Sequence, residues 1–232
     1  MNPEELLERL LYRDGLMLII DKPAGLPVHA GPKGGPNLEA MFDVLRFGLP
    51  QAPSLAHRLD RDTSGCLVLG RHRKALAKLG KLFAAGRIDK TYWAVVEGIP
   101  AEPKGRIDLS LTKRSTERGW WMKPDPEGQV AITDYEVKGS AGGFSWLELY
   151  PRTGRTHQIR VHCAEIGCPI VGDPIYGPRG RVEGLPPLHL HARRIVVPLY
   201  PNRDPIVVEA EPPPAIRAHL QACGWTPTPP DA

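Results

Sequence analysis

The chain has 232 residues, 41% of them hydrophobic, which is enough to fill a core, and carries a formal net charge of +4 with a pI near 8.9. No apolar run approaches the roughly 20 residues of a membrane-spanning helix. The start Met1-Asn2-Pro3-Glu4-Glu5 is acidic where a signal peptide is basic, so the expected protein is globular, soluble and cytoplasmic.

Asn2-Pro3-Glu4-Glu5 predicts a helix start, with Asn2 as N-cap, Pro3 at the first helical position and Glu5 reaching back, feeding Leu6, Leu7 and Leu10. Leu16 to Ile20 reads as a buried strand and Asp21-Lys22-Pro23-Ala24-Gly25-Leu26-Pro27 as a turn. A helix is expected near 37–47, with Leu38, Met41, Phe42 and Leu45 on one face. Cys66 to Leu69 is a strand, and 74–85 a helix stopped by Gly86. Residues 90–97 alternate, placing Tyr92, Ala94 and Val96 on one side and Thr91, Trp93 and Val95 on the other.

Strands follow at Val130 to Val137 and Phe144 to Tyr150. Before them lies a polar excursion, Thr112 to Gln129, with Trp120-Trp121 among basic residues: either an RNA-gripping hairpin or an aromatic anchor packed on the core. Thr156 to Ile166 predicts a helix with Ile159, His162, Cys163 and Ile166 on one face and His157, Arg160 and Ala164 on another. A short helix, Pro214 to Cys223, precedes a Pro-rich tail at 226–232 that is expected to be disordered. With no repeat and no dividing linker, the pattern predicts one α+β domain over 1–225, with a long mixed, mainly antiparallel sheet flanked by helices.

Cys66, Cys163, Cys168 and Cys223 form no C-x-x-C pair and read as small buried thiols. His157 and His162 lack zinc spacing, and His189 and His191 alternate along a strand with no acidic neighbour, so no metal is expected. Basic residues gather at Arg58 and Arg61, at Lys113-Arg114 with Arg118 and Lys123, at Arg152, Arg155 and Arg160, and at Arg179 and Arg181. That placement suits a polyanion, although a solvated surface explains any single group.

The stretch His57-Arg58-Leu59-Asp60-Arg61-Asp62-Thr63-Ser64-Gly65 crowds carboxylates, guanidiniums, hydroxyls and an imidazole ahead of the apolar Cys66-Leu67-Val68-Leu69. Such a loop belongs at the lip of a strand, where a rigid sheet holds chemistry in place. It opens like an EF-hand loop but has Arg71 where the bidentate Glu must stand, and Ser64 spoils a phosphotransferase reading. Asp62 and Thr63 also suit plain turn capping, which leaves His57, Arg58 and Asp60 unexplained.

That segment, Lys90-Thr91-Tyr92, Thr153-Gly154-Arg155-Thr156-His157-Gln158-Ile159-Arg160-Val161-His162 and Gly172-Asp173-Pro174-Ile175-Tyr176-Gly177 together resemble the ordered motifs of the RluA family of RNA pseudouridine synthases. Asp21-Lys22-Pro23-Ala24-Gly25-Leu26-Pro27-Val28-His29 resembles the family's opening segment and Leu188-His189-Leu190-His191-Ala192 its late strand.

The resemblance implies a pseudouridine synthase fold with a catalytic cleft across the sheet, isomerisation of uridines in tRNA or rRNA, and no cofactor. It implies Asp60 as the essential carboxylate, attacking C1′ or C6 or promoting elimination; Arg160 as the cation that keeps Asp60 ionised; and Tyr92 under the target base. Arg58 would enter the RNA stack vacated by the flipped uridine, His57 would orient the loop beside the RNA, and Arg155 would contact phosphate or brace its motif. Arg61 and His157 complete the expected RNA-binding set. A structured RNA stem-loop is the expected partner, and the expected protein is a monomer of the short form, without a separate N-terminal S4-like module. The alternative is a non-catalytic RNA-binding module on the same fold.

Overall fold

The computed structural model describes residues 1–31, 34–114, 121–180 and 182–227. They fall into two units, Met1–Thr91 with His191–Glu211, and Tyr92–Leu190 with Pro212–Ala232. No linker parts them: the chain crosses inside β5 (Asp89–Glu97), inside β11 (Leu190–Val197) and after Glu211. The class is the expected α+β one, with antiparallel pairing throughout except for one parallel contact among the described strand pairs.

In the first unit, α1 (Pro3–Glu8) opens with the expected capping box: Asn2 Oδ1 accepts from the Glu5 N–H at 2.9 Å and Glu5 Oε2 from the Asn2 N–H at 3.1 Å. The apolar spacing carries this helix to Leu10, but Leu10–Arg13 forms β1. Leu10 pairs with Ile20 of β2 (Met17–Lys22), and that ladder takes the backbone groups a further helical turn would have used. β2 lies antiparallel to β4 (Ser64–Gly70), every residue of which is buried, with β3 (Ser54–Leu55) also paired to β4. β4 meets β11 in parallel at Ser64 and Gly65, and β12 (Ile206–Glu209) pairs with β11.

The helix expected near 37–47 is a shorter 3-10 helix, Glu39–Leu45, with Phe42 and Leu45 inward. It lies between Pro36 and Gly48, the latter at φ +85°. α2 (Arg73–Ala84) ends at Gly86, at φ +64°, where left-handed backbone favours glycine. Its Ala75 and Leu79 are buried, and Leu79 joins Met17, Ile19, Val68 and Ile195 in the core of this unit.

In the second unit the strand order is β5, β10 (Phe144–Pro151), β9 (Ile132–Ala141), β6 (Lys104–Asp108). The alternation of β5 divides two cores as its sequence requires. Ala94 and Val96, with Tyr92 at their edge, pack among Leu147, Leu149, Ile159 and Leu190; Trp93 and Val95 pack with Trp146, Trp225 and, from α4 (Pro214–Ala222), Ile216 and Leu220. The Thr112–Gln129 excursion contains a two-stranded ribbon, β7 (Leu111–Lys113) with β8 (Met122–Pro124). Trp121 lies under the Arg114 guanidinium at 5.8 Å; Trp120, Arg118, Arg181 and the tail beyond 227 lie outside the described residues.

α3 (Gln158–Glu165) departs from the expected two-faced helix, because all of Gln158–Cys163 is buried. Its polar residues are tolerated inside because each is hydrogen-bonded. Gln158 Nε2 donates to Thr133 Oγ1 at 3.0 Å, the Thr133 hydroxyl reaches His162 Nδ1 at 2.9 Å, and His162 Nε2 donates to the Leu109 carbonyl at 3.1 Å. All four cysteines are free and buried, as their sequence contexts predict. Among the described residues no helix is long and apolar enough to cross a membrane.

Gly139 faces Trp146 at the register shift between β9 and β10, and a Cβ there would fall on the Cys223 backbone carbonyl at the end of α4. Gly139→Ala is expected to cost about 2–3 kcal/mol by forcing backbone apart. Urea unfolding measures the loss, and limited proteolysis should cut α4 first.

Candidate active site

The Asp60 loop is organised around a residue ahead of it in the chain. Lys22, the last residue of β2, is fully buried, and its ammonium donates to the carbonyls of Pro23, Arg61 and Thr63, each at 2.8 Å. Three N–H groups meet three carbonyls, so the cation is saturated while it clamps both ends of the turn that contains Asp62. Burial lowers the Lys22 pKa to about 8, against the opposing pull of the Asp62, Asp60 and Asp21 carboxylates. Arg61 closes the same turn: its Nε donates to the Gly25 carbonyl and its own carbonyl accepts from the Gly25 N–H, both at 3.0 Å.

The loop is also fixed to the sheet at either end. His57 Nε2 accepts from the Val68 N–H at 3.0 Å, and its ring stacks on Phe83 at 4.6 Å. Burial, reinforced by the nearby Lys90 charge, drives the His57 pKa down to about 3, so this imidazole is a neutral brace. At the other end, His191 Nε2 can only donate to the Ala210 carbonyl, at 2.9 Å, which leaves Nδ1 to accept from the Ser64 hydroxyl at 2.8 Å. Burial lowers the His191 pKa to about 4, keeping that tautomer neutral. Gly65, at φ +104°, lies so close to the Ala192 backbone that no Cβ fits. Between these anchors Leu59 is buried, Asp60 half-buried and Arg58 exposed.

The second unit holds the other expected residues. His157 adopts left-handed backbone, φ +51°, as the residue that starts α3, a conformation worth about 1–3 kcal/mol of strain for a side chain with a Cβ. Gln158 stabilises the turn: its Oε1 accepts from the Thr153 hydroxyl at 2.6 Å and the Arg155 N–H at 3.0 Å, while Nε2 donates to the Ile132 carbonyl. Arg155 itself is exposed and donates from Nε to the Val130 carbonyl at 2.9 Å, which is the bracing role.

Arg160 is buried, and its Nε and Nη2 grip both oxygens of buried Asp173 at 2.7 Å. Burial works to raise the Asp173 pKa, but Arg160 and the N–H groups of Tyr176 and Ile175 outweigh it and hold the carboxylate ionised. The guanidinium lies over the Tyr176 ring at 5.3 Å. The Tyr176 hydroxyl accepts from the Met122 N–H at 2.9 Å, which directs its own proton to His157 Nδ1 at 3.0 Å. Tyr92 is half-buried on β5 beside Ala94 and Val96.

From the sequence alone Lys22 reads as part of a turn, and Asp173 and Gln158 carry no role of their own. A lysine ending a strand as apolar as Leu18-Ile19-Ile20 was the available signal, since a buried lysine must find several acceptors. Among the described residues no group of three or more His, Cys, Asp or Glu is placed to hold a metal ion.

The fold is similar to that of a solved human protein named RNA Pseudouridylate Synthase Domain Containing 4. It is 26% identical with a TM-score of 0.79, over 95% of each chain. The profile described as RNA pseudouridylate synthase matches residues 16–165. An RNA pseudouridine synthase of Zymomonas mobilis, itself described as uncharacterized, is 44% identical over 88% of this chain and 94% of its own. A mitochondrial pseudouridylate synthase of Xenopus tropicalis is 31% identical over 94% of this chain and 81% of its own. The chain belongs to the RNA pseudouridylate synthase family and is accordingly an isomerase that converts uridine in RNA to pseudouridine.

The Lys22 clamp gives a pH signature. The folded pKa of about 8 lies below the usual 10.5, so between them the unfolded chain holds more protons and this titration raises global stability with pH. What goes is one ammonium N–H, and with it the donor of one loop carbonyl. Activity is therefore expected to fall as pH rises through about 8, without a matching fall in thermal midpoint. Single-turnover rates and melting curves over the same buffers check it; parallel falls would rule the clamp out as the cause.

Proposed function

We propose that this enzyme acts on a structured RNA, a tRNA or rRNA stem-loop, by extruding one uridine and using Asp60 as the essential carboxylate. The observation that carries this reading is the construction of the Asp60 loop. A half-buried carboxylate is held on a turn that a buried ammonium, a serine–histidine bond and a histidine brace all restrain. A turn so restrained by partners far away in sequence suits a group that must meet a reacting atom in fixed geometry.

The reaction breaks the N1–C1′ bond, turns the uracil and forms C5–C1′; C5 loses its proton and N1 gains one. Atoms and electrons balance without an external oxidant or reductant. Asp60 acts at the sugar or the base during detachment. Arg160 supplies the counter-charge, as the resemblance implies, from its buried place beside Asp173. Tyr92 takes the position under the uracil, where its hydroxyl assists the proton transfer. Unstacking the uridine costs a few kcal/mol, and exposed Arg58, at the head of the loop, offers a planar group to fill the gap.

RNA tritiated at uracil C5 should release its label to water with the native chain, and almost none with Asp60→Asn. Equal release from both would take Asp60 out of the chemistry. Tyr92→Phe should bind RNA as the native chain does but turn over far more slowly; weaker binding with unchanged single-turnover rate would reduce Tyr92 to a residue that only touches the base.

A further inference from the structure

The segment from His72 to Ile88, which contains α2, carries Arg73, Lys74, Lys78, Lys81 and Arg87 and no Asp or Glu. Around the helix, with Ala75 and Leu79 turned into the core, the outward arc holds Arg73, Lys74 and Lys81 together with Ala77, Gly80 and Ala84, while half-buried Lys78 sets its ammonium over the Tyr200 ring at 5.7 Å. Arg73, Lys74, Lys81 and Arg87 are exposed, and among the described residues none of them forms an ion pair.

A charged surface elsewhere on the chain is balanced instead. On the outer face of the second unit's sheet, Lys104 and Lys138 flank Glu136, and Arg106 and Arg152 flank Asp134, so those charges are met within the protein. Unmatched like charges on one helix repel, and such a face is stabilised by a polyanion laid along it. Its position names the polyanion. Phe83, in the last turn of α2, stacks on His57, the residue before Arg58 and three before Asp60. From that end the track runs back along the helix, with Lys81 and Lys74 two turns, about 10.5 Å, apart.

We propose that the outer face of α2 is a phosphate track that grips the sugar-phosphate backbone of the substrate RNA on one flank of the target uridine, extending the footprint beyond the Asp60 loop. The track rests on the reading of that loop as the site where uridine is extruded. Its contribution is independent of base sequence: it adds affinity and register, and each cation engaged releases counterions from the RNA.

The test is binding by filter retention as a function of KCl, with unfractionated tRNA and, separately, ribosomal RNA transcripts. The variant is Lys74→Gln/Lys81→Gln/Arg87→Gln. Its control, Lys104→Gln/Lys138→Gln/Arg194→Gln, removes the same net charge from residues that already have carboxylate partners. On at least one of the RNAs the α2 variant should bind tenfold or more weakly at low salt. The slope of log affinity against log salt should flatten by about 2, from roughly 0.7–0.9 for each phosphate that is no longer neutralised. The control should stay near the native line. Native affinity and slope in the α2 variant on both RNAs, or an equal loss in the control, would overturn the track. Because the assay involves no turnover, a missing tritium release alongside the α2 effect would strike the catalytic reading and leave the track standing.

Discussion

A single buried ammonium fixes the geometry on which the Asp60 loop depends. Removing a lysine's charge from water is costly, and the cost is met here by three short hydrogen bonds to the carbonyls of Pro23, Arg61 and Thr63. The arrangement ties the end of β2 to residues 39 and 41 positions further along. It also sets a cation within electrostatic range of Asp60 and Asp62, whose charges oppose the loss of the Lys22 proton.

The second unit uses comparable means. Arg160 and Asp173 form a buried bidentate pair whose carboxylate also accepts from the Ile175 and Tyr176 N–H groups, and Tyr176 passes a hydrogen bond on to His157. Buried ion pairs contribute little net stability, because desolvation offsets most of their attraction; what they supply is one defined arrangement. The left-handed backbone at His157 points the same way. It is held by the Gln158 side chain, which spans Thr153, Arg155 and β9, so the start of α3 is over-determined by partners in several segments.

How much of this was legible follows from the range of each interaction. The Asn2–Glu5 capping box, the Gly86 stop of α2 and the two-sided alternation of β5 depend on neighbours within a few residues, and all were readable. The extension of α1 to Leu10 failed because a cross-strand ladder with β2 outcompeted a further turn. The two-faced reading of α3 failed because a helix packed on all sides can hold Gln158, Arg160 and His162 inside once partners from β9 and the 170s loop satisfy them. The motif residues marked where chemistry is placed, but His57 and Arg155 show their roles only through the Val68 N–H and the Val130 carbonyl.

By itself the sequence determined the class of the fold, the order of its motifs and the family, since these rest on local periodicity and on residue types kept in series along the chain. Only the tertiary structure decided that Lys22 is the centre of the acidic loop, that Asp173 is Arg160's partner and that α2 presents unmatched cations beside His57. The physical reason is one of distance along the chain. A buried charge is stable only with its full set of partners, and those partners come from segments that no local pattern joins.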